Sequence, residues 1–171
     1  MIIEILRIIF RFIILIAVQV LILNHVEISG YINPFLYVLF ILMLPVRIPR
    51  TILLLVAFAT GLCVDIFSNT AGMHAAACVL MAYMRPGWLK IIAPRDGYDA
   101  EAVPSVKRFG FQWFIIYSSV MVLIHHVYLF FIEVFRLNEF FSTFLRALVS
   151  STVTLLLIII TQYLFTKSEE R

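Results

Sequence analysis

Six apolar runs, separated by short polar segments, constrain the fold of this chain more than any other feature. They occupy approximately residues 8–24, 31–46, 51–67, 71–84, 109–133 and 140–165. A helix needs about 20 apolar residues to cross the hydrocarbon core of a bilayer, with a range of about 17–25. The first, fifth and sixth runs reach this length, whereas the middle three are short. The pattern predicts an all-α, polytopic membrane protein with one integral membrane domain over residues 1–171.

The composition excludes an ordinary soluble domain. Hydrophobic residues make up 63% of the 171 positions, charged residues 13%, and the mean hydropathy is +1.06. A soluble domain is about half apolar and about a quarter charged. This chain therefore has too few polar side chains to cover a soluble surface. The net charge of +3 does not indicate nucleic-acid binding, because the basic residues are dispersed between the apolar runs.

The distribution of basic residues predicts six transmembrane helices with both termini in the cytoplasm. With six crossings, 11 of the 13 Lys and Arg residues share one side, and the other side holds only Arg136 and Arg146. This bias is a strong positive-inside signal, which places both termini in the cytoplasm. If the fourth run did not cross, the basic residues of the 85–108 segment would move outside. We therefore expect six crossings, a cytoplasmic loop at 85–108, and an interfacial turn at 86–92 with Trp88 at the level of the lipid headgroups.

The segment from Gly61 to Ala76 places an acid and a histidine on either side of a small polar turn, between two apolar runs. Ionisable groups at membrane depth are costly and by default indicate a functional or packing site. Ser68, Asn69 and Thr70 are residue types that cap helix N-termini. We expect them to cap the helix of the fourth run.

Most ionisable groups within the runs are predicted to lie toward the extracytoplasmic side. This outer polar set contains Asp65, His74, His125, His126 and Arg146. Unpaired charges in lipid are disfavoured, so burial partners are expected. The set therefore has two interpretations. It either lines a polar cavity open to the outside or forms a closed network that holds short helices together.

The sixth run carries four hydroxyl residues, which are Ser150, Ser151, Thr152 and Thr154. They predict either internal helix packing or a surface for a membrane partner.

The sequence lacks the arrangements that support catalysis or metal binding. His125 and His126 are adjacent, and adjacent helical residues point about 100° apart, so they cannot face one ion together. The two cysteines, Cys63 and Cys78, form no CxxC or Cys/His spacing. There is no Ser-His, Cys-His or HExxH arrangement, and Asp65 has no nearby second carboxylate. We expect no enzyme activity, no cofactor and no metal.

The Gly61–Ala76 segment resembles the rod shape-determining protein MreD family. The resemblance lies in the pattern Gly61-x-x-x-Asp65-x-Phe67-Ser68 followed by Gly72-x-His74-Ala75, between the third and fourth of six expected spans. It implies a structural or partner-binding role for these seven residues, and no catalytic role. The architecture of that family is in turn similar to the substrate-binding subunits of energy-coupling-factor transporters.

The resemblance implies a non-enzymatic inner-membrane component of the bacterial cell-elongation (rod) complex, which supports cell shape and lateral peptidoglycan synthesis. The expected direct partner is MreC, a single-span protein with a large periplasmic domain. MreB, RodA, the elongation transpeptidase and RodZ are expected at the level of the complex. The alternative is a membrane subunit of a transporter that binds a vitamin-like small molecule, motivated by the outer polar set. Neither hypothesis involves nucleic acid.

Overall fold

The computed structural model describes residues 2–25, 32–99, 101–135 and 139–168, with side chains from 5 to 164 in those ranges. Of the basic residues used to predict the topology, Arg136, Arg171 and the side chain of Lys167 lie outside this description.

The all-α class is confirmed over the described residues. They contain a 3₁₀ turn at Leu23–His25 and seven α-helices. The helices are α1 Ile2–Leu21, α2 Val38–Leu42, α3 Arg50–Ser68, α4 Met73–Ile91, α5 Val106–Phe109, α6 Phe111–Val134 and α7 Phe140–Ser168.

Four stretches in the described part of the chain are long and apolar enough to cross a membrane, namely Ile5–His25, Arg50–Ser68, Phe111–Val134 and Phe140–Leu164. They correspond to the first, third, fifth and sixth runs. Helix α4 has 19 residues, like α3, but it is less apolar. Six crossings therefore require that α4 and the second run also cross the membrane.

Helices α3, α4, α6 and α7 pack in chain order, each against the next, and α1 is the least buried of the membrane-length stretches. The core between them contains Ala77 and Met81 of α4 with Phe114 and Met121 of α6. The bundle has two distinct ends. We name them the basic end, which carries Arg11, Arg47, Arg50 and Lys90, and the Asp65 end, which carries Asn24, Asp65 and Glu133.

The second run differs from the helical span expected at 31–46. Its only α-helix in the described residues is α2, although nearly all side chains from Pro34 to Leu42 are buried. It begins at the Asp65 end, where the Asn33 N–H donates to Ser150 Oγ over 3.2 Å. It ends at the basic end, where the Val46 N–H donates to the Ala102 carbonyl over 2.8 Å. The segment therefore runs the length of the bundle.

Side chains of neighbouring helices satisfy the irregular backbone of this segment. The Phe35 N–H donates to Thr154 Oγ1 over 3.0 Å. Gln19 is fully buried in α1, and its Nε2 donates to the Pro34 carbonyl over 3.2 Å while its Oε1 accepts from the Tyr37 N–H over 3.4 Å. Non-helical backbone in an apolar region is tolerated only where protein groups pair with it. The apolar pattern alone did not reveal this requirement.

The end of the fourth run also differs from the prediction. Instead of the interfacial turn predicted at 86–92, α4 continues through Pro86 to Ile91. The expected loop at 85–108 is accordingly shorter, and it contains the short helix α5. Proline lacks an N–H and often ends a helix. Here packing overrides that tendency, because Arg85 is buried and hydrogen-bonded inside the bundle.

The connection after α4 packs on the basic end rather than extending away from it. The Tyr98 hydroxyl donates to the Leu89 carbonyl over 2.8 Å, and Arg47 donates to the Tyr98 carbonyl over 3.0 Å. Partial burial raises the pKa of the Tyr98 phenol above its usual value, so this hydroxyl remains a donor at neutral pH. Arg108 and Asp99 form an exposed ion pair in the same region.

Candidate functional site

The Gly61–Ala76 segment forms a close crossing of α3 and α4 at the Asp65 end. Gly61 is buried, and a Cβ built on it lies 2.5 Å from both Ala75 N and the His74 carbonyl oxygen. Such a distance is far below ordinary van der Waals contact, so only glycine permits the two helix backbones to approach this closely. The Gly61 position therefore fixes the spacing between α3 and α4.

Asp65 caps α4 from α3. Its carboxylate accepts hydrogen bonds from the His74 N–H over 3.1 Å, the Ala75 N–H over 2.9 Å and the Thr70 hydroxyl over 2.5 Å. These N–H groups lie in the first turn of α4 and have no partner within the helix. A negative charge is also favourable at a helix N-terminus. Asp65 thus performs, from another helix, the role that a capping residue performs locally.

The prediction that Ser68, Asn69 and Thr70 cap α4 was wrong. The N-cap of α4 is Gly72, which has φ 83° and no side chain, and Asp65 takes over the capping. Ser68 accepts instead from Asn24 Nδ2 over 3.0 Å, which ties the end of α1 to the end of α3. Asn69 ends α3 in the left-handed conformation, with φ 54°. Of the three expected caps, only Thr70 reaches the site, through its bond to Asp65.

The remaining motif residue, Phe67, lies on the surface. Its side chain is 63% exposed on the last turn of α3. Gly72 has open space around its Cα, so the requirement for glycine there is the positive φ and not close packing. The motif residues therefore have different structural roles. Gly61 sets the helix spacing, Asp65 caps α4 and Gly72 permits the turn, whereas Phe67 presents an exposed aromatic side chain.

Tyr37 joins two histidines in the interior of the bundle. Its hydroxyl lies 2.9 Å from His74 Nδ1 and 2.8 Å from His125 Nε2, and all three side chains are buried. Because a phenol has one hydrogen, one imidazole accepts from Tyr37 and the other donates to it. His125 Nδ1 has no hydrogen-bond partner among the described residues. The three side chains form a short chain of hydrogen bonds across α4, the second run and α6.

His126 points away from this chain and binds a different partner. Its Nδ1 lies 2.9 Å from the Val122 carbonyl, which can only accept, so Nδ1 carries the proton. Its Nε2 then accepts from Thr154 Oγ1 over 3.0 Å. Thr154 also accepts from the Phe35 N–H, and the Phe35 ring lies within about 6 Å of all three histidine rings.

Arg146 of the expected outer polar set pairs with Glu133 instead of the histidines. The distance from Arg146 Nη1 to Glu133 Oε1 is 3.5 Å, and the guanidinium lies 4.5 Å from the centroid of the Phe130 ring. Phe130 separates Arg146 from His126, since its ring contacts both. The outer polar set therefore divides into the Asp65 cap, the Tyr37-bridged histidines, the His126–Thr154 pair and the Arg146–Glu133 pair.

A cavity of about 430 Å³ opens at the Asp65 end, next to these groups. His74 and Phe35 line it together with Gln19, Asn24 and Ser68, and Glu133 lies at its edge. Nδ1 of His74 is bonded to Tyr37, and Nε2 of the same ring has no hydrogen bond among the described residues. A hydrogen-bonded network therefore lies beneath a polar cavity at the Asp65 end.

A second buried polar site lies near the basic end, around Arg85. Its guanidinium is fully buried and donates through Nε to the Tyr117 hydroxyl over 2.7 Å. The other nitrogens donate to carbonyls at the C-terminal end of the short helix α2 and just after it, belonging to Leu42, Leu44 and Pro45. A cation is favourable at the C-terminal end of a helix, where carbonyls lack partners. Arg85 therefore anchors the second run at the basic end.

The described residues contain no group of three His, Cys, Asp or Glu side chains that could hold a metal ion. Cys78 lies 3.8 Å from the Tyr37 hydroxyl, and Cys63 is a free, half-buried thiol. The sequence interpretation missed three residues that organise the interior, namely Gln19, Tyr37 and Arg85. Gln19 offered the only usable signal, as a lone amide in a long apolar run.

Comparison with protein-family models, with characterised proteins and with solved structures gives no match for this chain.

Proposed function

We propose that this chain is a non-enzymatic membrane component of the bacterial cell-elongation complex, which binds MreC and supports cell shape and lateral peptidoglycan synthesis. The proposal is supported by the MreD-like residue pattern and by the arrangement of those residues at the α3–α4 crossing. Gly61, Asp65 and Ala75 contact one another's helices directly. The pattern therefore corresponds to one compact structural unit and not to scattered positions.

The proposal is supported mainly by one observation, which is that the polar groups of the motif are hydrogen-bonded within the protein itself. The Asp65 carboxylate is occupied by three donors, which makes it a poor general base or nucleophile. The Nδ1 of His74 is occupied by Tyr37. Such groups stabilise a scaffold whose outward surfaces are left for other membrane proteins. Consistent with this, α1 and α7 carry many exposed apolar side chains, including Phe10, Ile13, Phe141 and Leu145.

Co-purification with MreC tests the proposal. The full chain, Asp65→Ala and Asp99→Ala are each co-expressed with tagged MreC and extracted in mild detergent. We expect the unchanged chain to be recovered at a defined stoichiometry. Asp65→Ala should lower recovery and widen rod-shaped cells, because the loss of the α4 cap disturbs the Asp65 end.

Asp99→Ala is the matched control, since it removes an aspartate from an exposed ion pair at the basic end. It should leave MreC recovery and cell width unchanged. A folded, monodisperse chain that does not associate with MreC would refute the proposal. Equal and negligible effects of both substitutions would remove the role assigned to Asp65.

The cavity at the Asp65 end favours a second candidate function, binding of a vitamin-like small molecule by a transporter subunit. Its volume of about 430 Å³ lies in the usual range for small-molecule sites, and both polar and aromatic side chains line it. Native mass spectrometry of the purified protein should then show a retained ligand. Met73→Trp, which places an indole at the cavity wall, should release that ligand. An empty protein whose thermal stability is unchanged across a vitamin panel argues against this function.

A further inference from the structure

A lateral groove of about 350 Å³ lies near the basic end, far from the Asp65 end. It is formed by three elements, which are the start of α3, the last three turns of α4 and the middle of α6. Its walls are mainly apolar, with Leu53 and Leu54 from one side and Val120 and Ile124 from the other. None of the motif residues lines it. The groove is therefore independent of the proposed function.

Arg50 distinguishes this groove from a purely apolar surface. It lines the groove from the first turn of α3 and is exposed. Trp88 lines the groove from α4, while its indole nitrogen is buried within the protein. The cationic side chain of Arg50 therefore favours an anionic occupant.

The α4 wall of the groove is open because of its sequence. Pro86 and Gly87 both line the groove, and a Cβ built on Gly87 meets no atom within 4 Å. A side chain at position 87 would therefore project into unfilled space. Glycine within a helix is unfavourable relative to alanine, so local helix stability does not explain its presence. The absence of a side chain at position 87 leaves room for a ligand beside α4.

We propose that this groove binds an anionic phospholipid, whose acyl chain lies along Leu54 and Ile124 and whose phosphate lies at Arg50. The apolar walls match an acyl chain, and the charge of Arg50 at the basic end matches the phosphate. The positive-inside prediction places this end in the cytoplasmic leaflet, where anionic lipids attract basic side chains by about 1 kcal/mol each.

Native mass spectrometry with defined lipids tests this site. Purified full-length protein is incubated with equal amounts of phosphatidylglycerol and phosphatidylcholine, and the retained lipids are counted. We expect phosphatidylglycerol to be retained about fivefold more, which corresponds to one basic contact. Arg50→Gln should abolish the preference, because it removes the charge that lines the groove.

Two further variants separate binding from folding. Lys90→Gln removes the same charge from an exposed residue of the same end that does not line the groove, and it should preserve the preference. Gly87→Leu places an apolar side chain in the groove from a position whose Cβ meets no atom within 4 Å, and it favours helix. A folded variant should therefore lose retained lipid severalfold.

Three results would overturn the inference. They are equal retention of both lipids by the unchanged protein, an equal loss of preference in Lys90→Gln and Arg50→Gln, and undiminished retention in folded Gly87→Leu. Occupation of the groove by a co-purified polypeptide in place of lipid would overturn it as well.

Discussion

The hydroxyl of Tyr37 lies 2.9 Å from Nδ1 of His74, which ties the second apolar run to the first turn of α4. This bond explains how a largely irregular segment is held in a helical bundle. At the other end of the same segment, Arg85 binds the carbonyls of Leu42, at the end of α2, and Leu44, just after it. Polar contacts from α4 therefore fix the second run at both ends, and apolar packing fills the space between them.

Tyr37→Phe should destabilise the protein by about 1–3 kcal/mol, because it leaves ring nitrogens of His74 and His125 unpaired in the interior. Thermal unfolding in detergent, followed by circular dichroism, measures the effect. Tyr163→Phe is the control, since that side chain is 53% exposed on α7. Equal unfolding temperatures for the two variants would show that the bridge contributes nothing measurable.

Arg85→Lys should loosen the second run even though it keeps the charge. A lysine ammonium lacks the planar fork that reaches Tyr117 and several carbonyls together. We expect faster amide hydrogen exchange within 38–46 in this variant. Arg47→Lys makes the same chemical change at a residue with one exposed hydrogen bond, and it should leave that exchange unchanged. Unaltered exchange in both variants contradicts the anchoring role.

Gly61→Ala should destabilise the α3–α4 crossing by about 1–3 kcal/mol, because the added methyl clashes with the backbone of α4. Gly87→Ala is the matched glycine substitution and meets open space. It should instead stabilise α4 by about 0.5–1 kcal/mol. The two unfolding temperatures should thus move in opposite directions, and a shared direction is the contradicting result.

Substitutions of Asp65 should produce a graded loss of stability. Asp65→Asn removes the charge but keeps one acceptor oxygen, whereas Asp65→Ala removes the cap of α4 entirely. Loss of a cap costs about 0.5–2 kcal/mol. We therefore expect unfolding temperatures in the order unchanged protein, Asn, then Ala. If Asp65→Ala unfolds at the temperature of Asp99→Ala, the capping role is wrong.

Cysteine labelling in intact cells distinguishes six crossings from four. Cys63 and Cys78 are first replaced by serine and alanine, and single cysteines are placed at the exposed positions Asn69 and Asp96. With six crossings, the label reaches position 69 from outside and position 96 only after the membrane is permeabilised. If neither position is labelled in intact cells, the prediction of six crossings is wrong.

The first, fifth and sixth apolar runs predicted long helices because their length and hydropathy suffice without knowledge of partners. The same reasoning failed at the second run and at Pro86. Nothing local distinguishes an apolar helix from an apolar segment whose backbone is paired by Gln19 and Thr154. Likewise, Arg85 next to Pro86 resembles the end of a helix until its buried partners, Tyr117 and the Leu44 carbonyl, are known.

The sequence by itself determined the all-α class, the membrane-length helices and the importance of the Gly61–Ala76 segment, because these depend on residues close together in the chain. Only the tertiary structure decided that Asp65 caps α4, that Tyr37 bridges two histidines, and that Arg146 pairs with Glu133. The Tyr37–His125 bond joins residues 88 positions apart. Which distant polar groups pair in an apolar interior depends on how the helices pack, and no local pattern encodes that choice.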